Sequence, residues 1–478
     1  MLKSIPLFFY WGVRIKYLPV NTVSVMMRLA SGCKKQGIYI FLGLIVLLFP
    51  FVKTPYFMSA AFFGGAVFFS IIPPKSSIFS FLARESDVKA GKLIGFIQLF
   101  FTMSILFMIR SIVEFPLFII GAAFAITTFG DGVADVINGL DKAKQTEEND
   151  ARLYSAKSSI IFLSAGSVFA FLAGAWIWIL SSTLQDFPYG KLFFLAVIGA
   201  ITAALLESMT TTEDNIVIPF GSAMVMWLFF MFGYNVGIVY LMLALVFSFV
   251  LGYLAYRLRI ADISAMLSAT LFGVVIIISS DKGWFLFSIL LAFFLLGSIF
   301  TRYKYHYKFA RGIAEEKRGM RGYKNVFSNS LAALSLAVAY GIFPSYAKIL
   351  LPAYLGSVAT ACGDTLASEI GETYKGEPRM ITTFKKVRSG TDGAVSHLGE
   401  WAAFFGASII ALFAYVLIKN DVGILVAVIA GGFIGTNIDS VLGATLQRKG
   451  YLSNNGVNLF ATISGAIISG TLYYSMGS

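Results

Sequence analysis

SSIIFLSAGSVFAFLAGAWIWIL, residues 158–180, runs for 23 positions without one charged side chain. As an α-helix it rises about 34 Å at ~1.5 Å per residue. That is enough to cross a hydrocarbon core roughly 30 Å thick. VGIVYLMLALVFSFVLGYLAY, residues 236–256, is a second run of the same kind. Outward from these two, about fifteen apolar segments can be read, at 37–52, 56–72, 93–109, 114–129, 158–180, 191–206, 216–232, 237–256, 264–279, 284–300, 326–341, 346–362, 401–418, 423–440 and 457–475. The chain is 58% hydrophobic and 13% charged, about half the charge of a soluble domain. In lipid every backbone polar group must be satisfied within its own segment, which leaves helices or closed barrels. Long continuous apolar runs, unlike alternating ones, are helical. The expected fold is an all-α polytopic membrane protein of about 15 transmembrane helices.

The basic residues set the expected topology. With the N-terminus in the cytoplasm and the spans alternating, 31 of the 37 Lys and Arg residues fall on the cytoplasmic side. The other six are Lys53, Arg110, Lys191, Lys282, Lys348 and Lys419. This is a strong positive-inside pattern. The net charge of +12 is therefore a topology signal, and nucleic acid is not an expected partner. Residues 1–36 carry six basic residues and no cleavage site after a short apolar core, so they read as an interfacial arm with Ile5 to Trp11 on the membrane surface. The expected location is the plasma membrane of a prokaryote. Two cysteines, Cys33 and Cys362, make no disulfide framework. Two histidines, His306 and His397, are too few for a histidine metal site, and no P-loop or GxGxxG occurs.

Two stretches repeat. Gly130-Asp131-Gly132-Val133-Ala134-Asp135 and Gly363-Asp364-Thr365-Leu366-Ala367-Ser368-Glu369 each end an apolar span and enter a polar loop. Each loop returns to the membrane through a serine, at Lys157-Ser158 and at Val395-Ser396. Ala204-Leu205-Leu206-Glu207 followed by Asp214-Asn215 pairs with Ala444-Thr445-Leu446-Gln447 followed by Asn454-Asn455. Eight spans separate the two Gly-Asp motifs, so both face the same side and the halves are parallel tandem repeats. The expected domains are the arm 1–36, then 37–257, then 258–478.

Carboxylates at the end of a span are costly to desolvate and mark a functional site. Helical spacing puts Asp131 and Asp135 on one face, and likewise Asp364, Ser368 and Glu372. One or two carboxylates completed by water and substrate phosphates suit Mg²⁺. Gly130, Gly132 and Gly363 let backbone approach a ligand. The loop from Glu372 to Ser396 adds Lys375, Arg379, Lys385, Lys386 and Arg388 beside Thr382-Thr383 and Gly390-Thr391-Asp392-Gly393. Cations among small hydroxyl and glycine residues are what a phosphate cradle needs. The inventory fits a nucleotide-using enzyme with a membrane-borne acceptor. The long basic stretch 301–325 reads as an orientation anchor.

Several stretches carry a resemblance to known families. Ala361 to Gly371, Ile381 to Val387, Gly390 to Ser396, Asp439 to Gln447 and Asn454 to Asn458 make the second half resemble the phytyl-phosphate kinase family and its transmembrane protein 19-like relatives. Gly130 to Asp135, Lys157-Ser158, Glu207 and Asp214-Asn215 to Pro219 make the first half similar to the phytol kinase, dolichol kinase and phosphatidate cytidylyltransferase superfamily. The resemblance implies stepwise phosphorylation of a long isoprenoid alcohol, then of its monophosphate, with CTP or another nucleoside triphosphate as donor. It implies Asp364, Lys385, Asp131 and Lys157 as catalytic residues. It implies Gly363, Ser368, Glu369, Thr382, Thr383, Lys386, Gly390, Thr391, Ser396, Asn454, Asn455, Gly130 and Asn215 at the nucleotide or its phosphates. Asp364, Asp439, Asp131, Asp135, Glu207 and Asp214 would hold Mg²⁺. Two alternatives stay open: a CTP-dependent cytidylyltransferase making a CDP-lipid, and a lipid transporter or flippase without catalysis.

Overall fold

A computed structural model describes residues 38–83, 85–134, 151–181, 189–209, 214–231, 237–314, 319–418 and 421–477, with backbone alone at 85–86, 151–157, 159, 208–209 and 214. The interfacial arm expected at 1–36 lies outside these residues. The chain is an all-α polytopic membrane protein. Among the described residues, eleven helices are long and apolar enough to cross a membrane, and four further apolar helices are shorter. In chain order they are α1 (Ile38–Phe51), α2 (Pro55–Ile71), α3 (Ile94–Ile112), α4 (Leu117–Ala134), α5 (Ala151–Ser181), α6 (Tyr189–Met209), α7 (Asp214–Met231), α8 (Ile238–Arg257), α9 (Ile263–Ile278), α10 (Gly283–Arg302), α11 (Tyr323–Ile342), α12 (Pro344–Gly371), α13 (His397–Leu417), α14 (Val422–Gln447) and α15 (Asn454–Ser475). Each corresponds to one apolar segment of the sequence. Outward faces stay apolar and exposed, as at Val239, Trp401 and Val416, which suits a lipid surround.

The helices divide into two compact units, Met1–Asn235 and Val236–Ser478. The division falls one helix ahead of residue 257, because α8 packs lengthwise on α9. Within the first unit, α4 packs on α5, α5 on α6, α6 on α7, and α7 returns to α4. Within the second, α12, α13, α14 and α15 make the same circuit in the same order. The central helix of each unit carries the Gly-Asp motif near its end. Of its span, 83% is buried for α4 and 78% for α12, against 39% for α13 and α14. A charged motif thus sits on the helix least exposed to lipid.

The second unit is held by small residues, which let helix backbones approach. A Cβ on Gly363 would lie 2.7 Å from Thr436 Oγ1 and 3.0 Å from the Ala403 carbonyl. A Cβ on Gly406 of α13 would meet the Cys362 carbonyl and Gly363 Cα, both at 3.0 Å. Thr436 adds a hydroxyl bond to the Thr360 carbonyl at 3.4 Å. The loop between α12 and α13 folds into a small hairpin, β1 (Arg379–Met380) antiparallel to β2 (Ala394–Val395). Two helices contain a widened π turn, Ile126–Gly130 within α4 and Gly443–Gln447 at the end of α14.

This packing predicts that Gly406→Leu destabilises the protein by about 1–3 kcal/mol through overpacking. Its melting temperature in detergent should fall clearly. Gly64→Ala, whose Cβ would meet nothing within 4 Å, should leave melting unchanged.

Candidate functional site

Helix α12 does not stop at its acidic residue but continues to Gly371. The helical repeat then sets Asp364, Thr365, Ser368 and Glu369 along one wall of a cavity of about 110 Å³. Asp439 enters from α14, and the two carboxyl groups lie within hydrogen-bonding reach of each other. Oδ2 of Asp439 is buried and has no protein hydrogen-bond partner among the described residues. Asp392, from the α12–α13 loop, lies close enough to add negative potential at Asp439. Two carboxylates this close and half-buried call for a cation or a proton between them.

The remaining walls come from three other helices and one loop. Helix α10 contributes Thr301 in its last turn, α11 contributes Asn325 and Asn329, and α15 contributes Asn454 and Asn458. Both asparagine pairs are four residues apart, so each pair shares a helix face. Ser453 caps α15 by accepting from the Gly456 amide at 3.2 Å. The loop segment Gly319-Met320-Arg321 closes the cavity. Gly319 has φ +76°, and a Cβ there would lie 2.8 Å from Thr301 Cγ2, so only glycine makes this turn without strain. The Arg321 main chain is clamped by hydrogen bonds of 2.9 Å to Ile260 and from Asp262. Its guanidinium sits over the Phe293 ring, 5.7 Å from the centroid.

The basic stretch 301–325 does more than orient the chain. Lys308, in the short helix Tyr305–Ala310, is fully buried and pairs with Glu369. The same ammonium donates to the Thr301 carbonyl at 3.2 Å. Arg311 reaches the carbonyls of Glu372 and Tyr374 at 3.4 and 3.5 Å. These contacts tie the loop to the end of α12 and hold the cavity's shape.

The residues singled out from sequence divide accordingly. Asp364, Asp439, Ser368, Glu369 and Asn454 line the cavity together. Gly363 is next to it but faces Thr436 and Ala403. Asn455 is half-buried in the first turn of α15, outside the lining. Lys385, Lys386, Thr382 and Thr383 stand exposed on the hairpin, where Lys386 pairs with the equally exposed Glu377 at 2.9 Å. They do not line the cavity. The exposed Gly390 turns the chain at φ +81°, and Thr391 donates to the Arg388 carbonyl at 2.7 Å. Gly393 packs on Ala444 beyond Asp439. Ser396 caps α13, accepting from the Gly399 amide at 3.1 Å.

In the first unit, Gly130 is buried against Phe162 and Gly166 of α5. Asp131 and Glu207 are half-buried, and Asn215 is buried beside Gly95. Asp135 and the side chains of Lys157 and Asp214 lie outside the described residues.

Among the described residues no three His, Cys, Asp or Glu side chains are arranged so as to hold a metal ion by themselves. The donor set at Asp364 and Asp439 is thus two carboxylates with one unsatisfied oxygen, which suits a hard cation that draws its other ligands from water and phosphate. The sequence reading missed Arg321, Lys308, Asn325, Asn329 and Asn458. A signal was present: α11, α12 and α15 are the least apolar of the long spans, and each lines the cavity.

A buried pair that loses one partner leaves an uncompensated charge, at a cost of roughly 3–5 kcal/mol. Lys308→Met should therefore lower detergent stability severely. The double variant Lys308→Met with Glu369→Leu should recover most of that loss, as read by thermal melting.

The comparisons with known proteins fall on the same region. The family model described as "Integral membrane protein DUF92" matches residues 246–466, which contain every residue lining the cavity. An uncharacterized membrane protein of Methanocaldococcus jannaschii is 35% identical over 227 residues, 48% of this chain and 92% of that protein. One of Synechocystis is 39% identical over 197 residues, 41% of this chain and 76% of its own length. The chloroplastic protein VTE6 of Arabidopsis thaliana is 29% identical over 191 residues, 38% of this chain and 57% of that protein. No solved structure matches the chain. Near-complete coverage of the archaeal relative, together with the family match, places this chain in the DUF92 family of integral membrane proteins.

Proposed function

We propose that the second unit is a membrane-bound phosphotransferase that moves the terminal phosphoryl group of a nucleoside triphosphate, with CTP the expected donor, onto a long-chain isoprenoid monophosphate. The observation that carries this reading is the facing of Asp364 and Asp439 in a polar cavity that also holds Arg321. The resemblance to the phytyl-phosphate kinase family supports it from the motifs.

Asp364 and Asp439 would hold Mg²⁺, whose role when bound is to neutralise the charge of the donor phosphates. Arg321, which lines the same cavity as the carboxylates, would supply a cation suited to a phosphate by its planar fork of donors. Asn325, Asn329, Asn454 and Asn458 offer amide donors and acceptors that position the two phosphate groups without adding charge. A phosphomonoester oxygen is already anionic near neutral pH, so attack needs no general base. That suits a cavity whose basic lining residue, among the described residues, is Arg321. The positive-inside pattern supports a cytoplasmic mouth for this cavity. The first unit, with Gly130-Asp131 ending its own central helix, is the candidate for the preceding step on the alcohol.

The test uses purified full-length protein with phytyl or geranylgeranyl monophosphate, Mg²⁺ and terminally labelled CTP, ATP, GTP or UTP. Labelled prenyl diphosphate and a nucleoside diphosphate are expected. Asp364→Asn should lower the rate by about 100-fold or more with folding intact. Release of pyrophosphate instead would mark a cytidylyltransferase. Absence of transfer from every nucleotide, with in-cell function retained in Asp364→Asn, would point to the non-catalytic transporter.

A further inference from the structure

A second hollow of about 250 Å³ lies within the same unit, between α8, α9, α10 and the start of α11, and opens outward past the exposed Leu254, Leu258 and Leu295. Its wall is almost wholly apolar. It exists because small side chains, Ala255, Ala261, Ala265 and Ala269, stand where larger ones would fill the gap between α8 and α9. The interior of a folded domain is normally packed close to crystal density. This hollow, partly open to the lipid-facing surface, leaves room between the helices for a hydrocarbon chain to enter.

Its relation to the polar cavity decides which kind of chain. Two residues, Arg321 and Asn325, line both cavities. One side of this junction holds Asp364, Asp439 and the asparagines; the other is hydrocarbon in character. The Arg321 main chain is fixed to the α8–α9 turn at Ile260 and Asp262, and its guanidinium lies over Phe293, itself a wall of the apolar cavity. A rigid cation at the seam between a polar and an apolar hollow is matched by a molecule with an anionic head joined directly to a long hydrocarbon tail.

We infer that the α8–α11 cavity is the tail site for a long-chain phosphomonoester, with Arg321 and Asn325 gripping its phosphate at the entrance to the Asp364–Asp439 site. The identity of the phosphomonoester as acceptor rests on the phosphotransferase reading, whereas the placement of tail and head rests on the two cavities alone. The tail site is built from α8 to α11, outside the circuit of α12 to α15. Chain-length preference is then set by residues such as Ala269 and Phe272 rather than by the nucleotide-facing residues. Ala269 is only half-buried, so enlarging it fills the hollow with little disturbance to the packed core.

The experiment is photo-crosslinking of the purified full-length protein, without nucleotide, by a C20 isoprenoid monophosphate bearing a diazirine near the end of its tail. Labelled peptides are mapped by mass spectrometry. The expected result is labelling within 248–273 and 287–295, competed by unlabelled monophosphate but weakly by the corresponding alcohol. Ala269→Phe should reduce that labelling about tenfold, the loss expected when slightly fewer than two methylenes are kept from an apolar site. Arg321→Gln should abolish the preference for the phosphate over the alcohol. Labelling on the outer faces of α13 or α15, or equal labelling by alcohol and monophosphate, overturns the assignment even if phosphoryl transfer is observed. Labelling of the cavity with no transfer from any nucleotide upholds the tail site and removes the phosphotransferase reading instead.

Discussion

The second unit is organised around the cost of placing two half-buried carboxylates side by side. Asp364 and Asp439 come from different helices, and nothing in the packing of apolar side chains would bring them together unaided. Their approach requires α12 and α14 to be in near contact, which the glycines and threonines along that seam allow. It also requires that their charge be answered. Arg321 lines the same cavity, and one buried oxygen of Asp439 has no protein hydrogen-bond partner among the described residues. An unanswered charge in this setting would destabilise the unit by several kcal/mol, so the pair needs either a shared proton or, in the proposed reading, a bound cation.

The loop 301–325 follows from that need. Its charges are the densest in the chain, which suits orientation by the positive-inside rule. Yet Lys308 is buried on Glu369, and Arg321 is anchored through its backbone to the α8–α9 turn. One cation therefore fixes the wall of the polar cavity and the other occupies it. The same loop also stands between the polar cavity and the apolar hollow, so it joins a site for charge to a site for hydrocarbon.

Much of this was legible in the sequence. The fifteen apolar segments appear as helices in the same order, because a long uncharged run in lipid has no other way to satisfy its backbone. Asp364, Ser368, Glu369, Asp439 and Asn454 were singled out by motif and meet at one cavity. Arg321, Lys308 and the asparagines of α11 were not, because their significance is tertiary: a basic residue in a basic loop looks the same whether it faces solvent or a carboxylate. Lys385 and Lys386 show the converse. Their neighbours read as a phosphate cradle, but the hairpin pairing of Arg379–Met380 with Ala394–Val395 leaves both lysines exposed, away from the cavity lining. The first-unit loop that would carry Asp135 lies outside the described residues, so the sequence alone speaks there.

The central claim is that Asp364 and Asp439 jointly hold a divalent cation that also needs a nucleotide's phosphates. Electron paramagnetic resonance of Mn²⁺ added to the purified protein, with and without CTP, tests it most directly. The account predicts nucleotide-dependent Mn²⁺ binding that Mg²⁺ displaces and that both Asp364→Asn and Asp439→Asn abolish. Mn²⁺ binding that is unchanged in both variants, or indifferent to nucleotide, would contradict it.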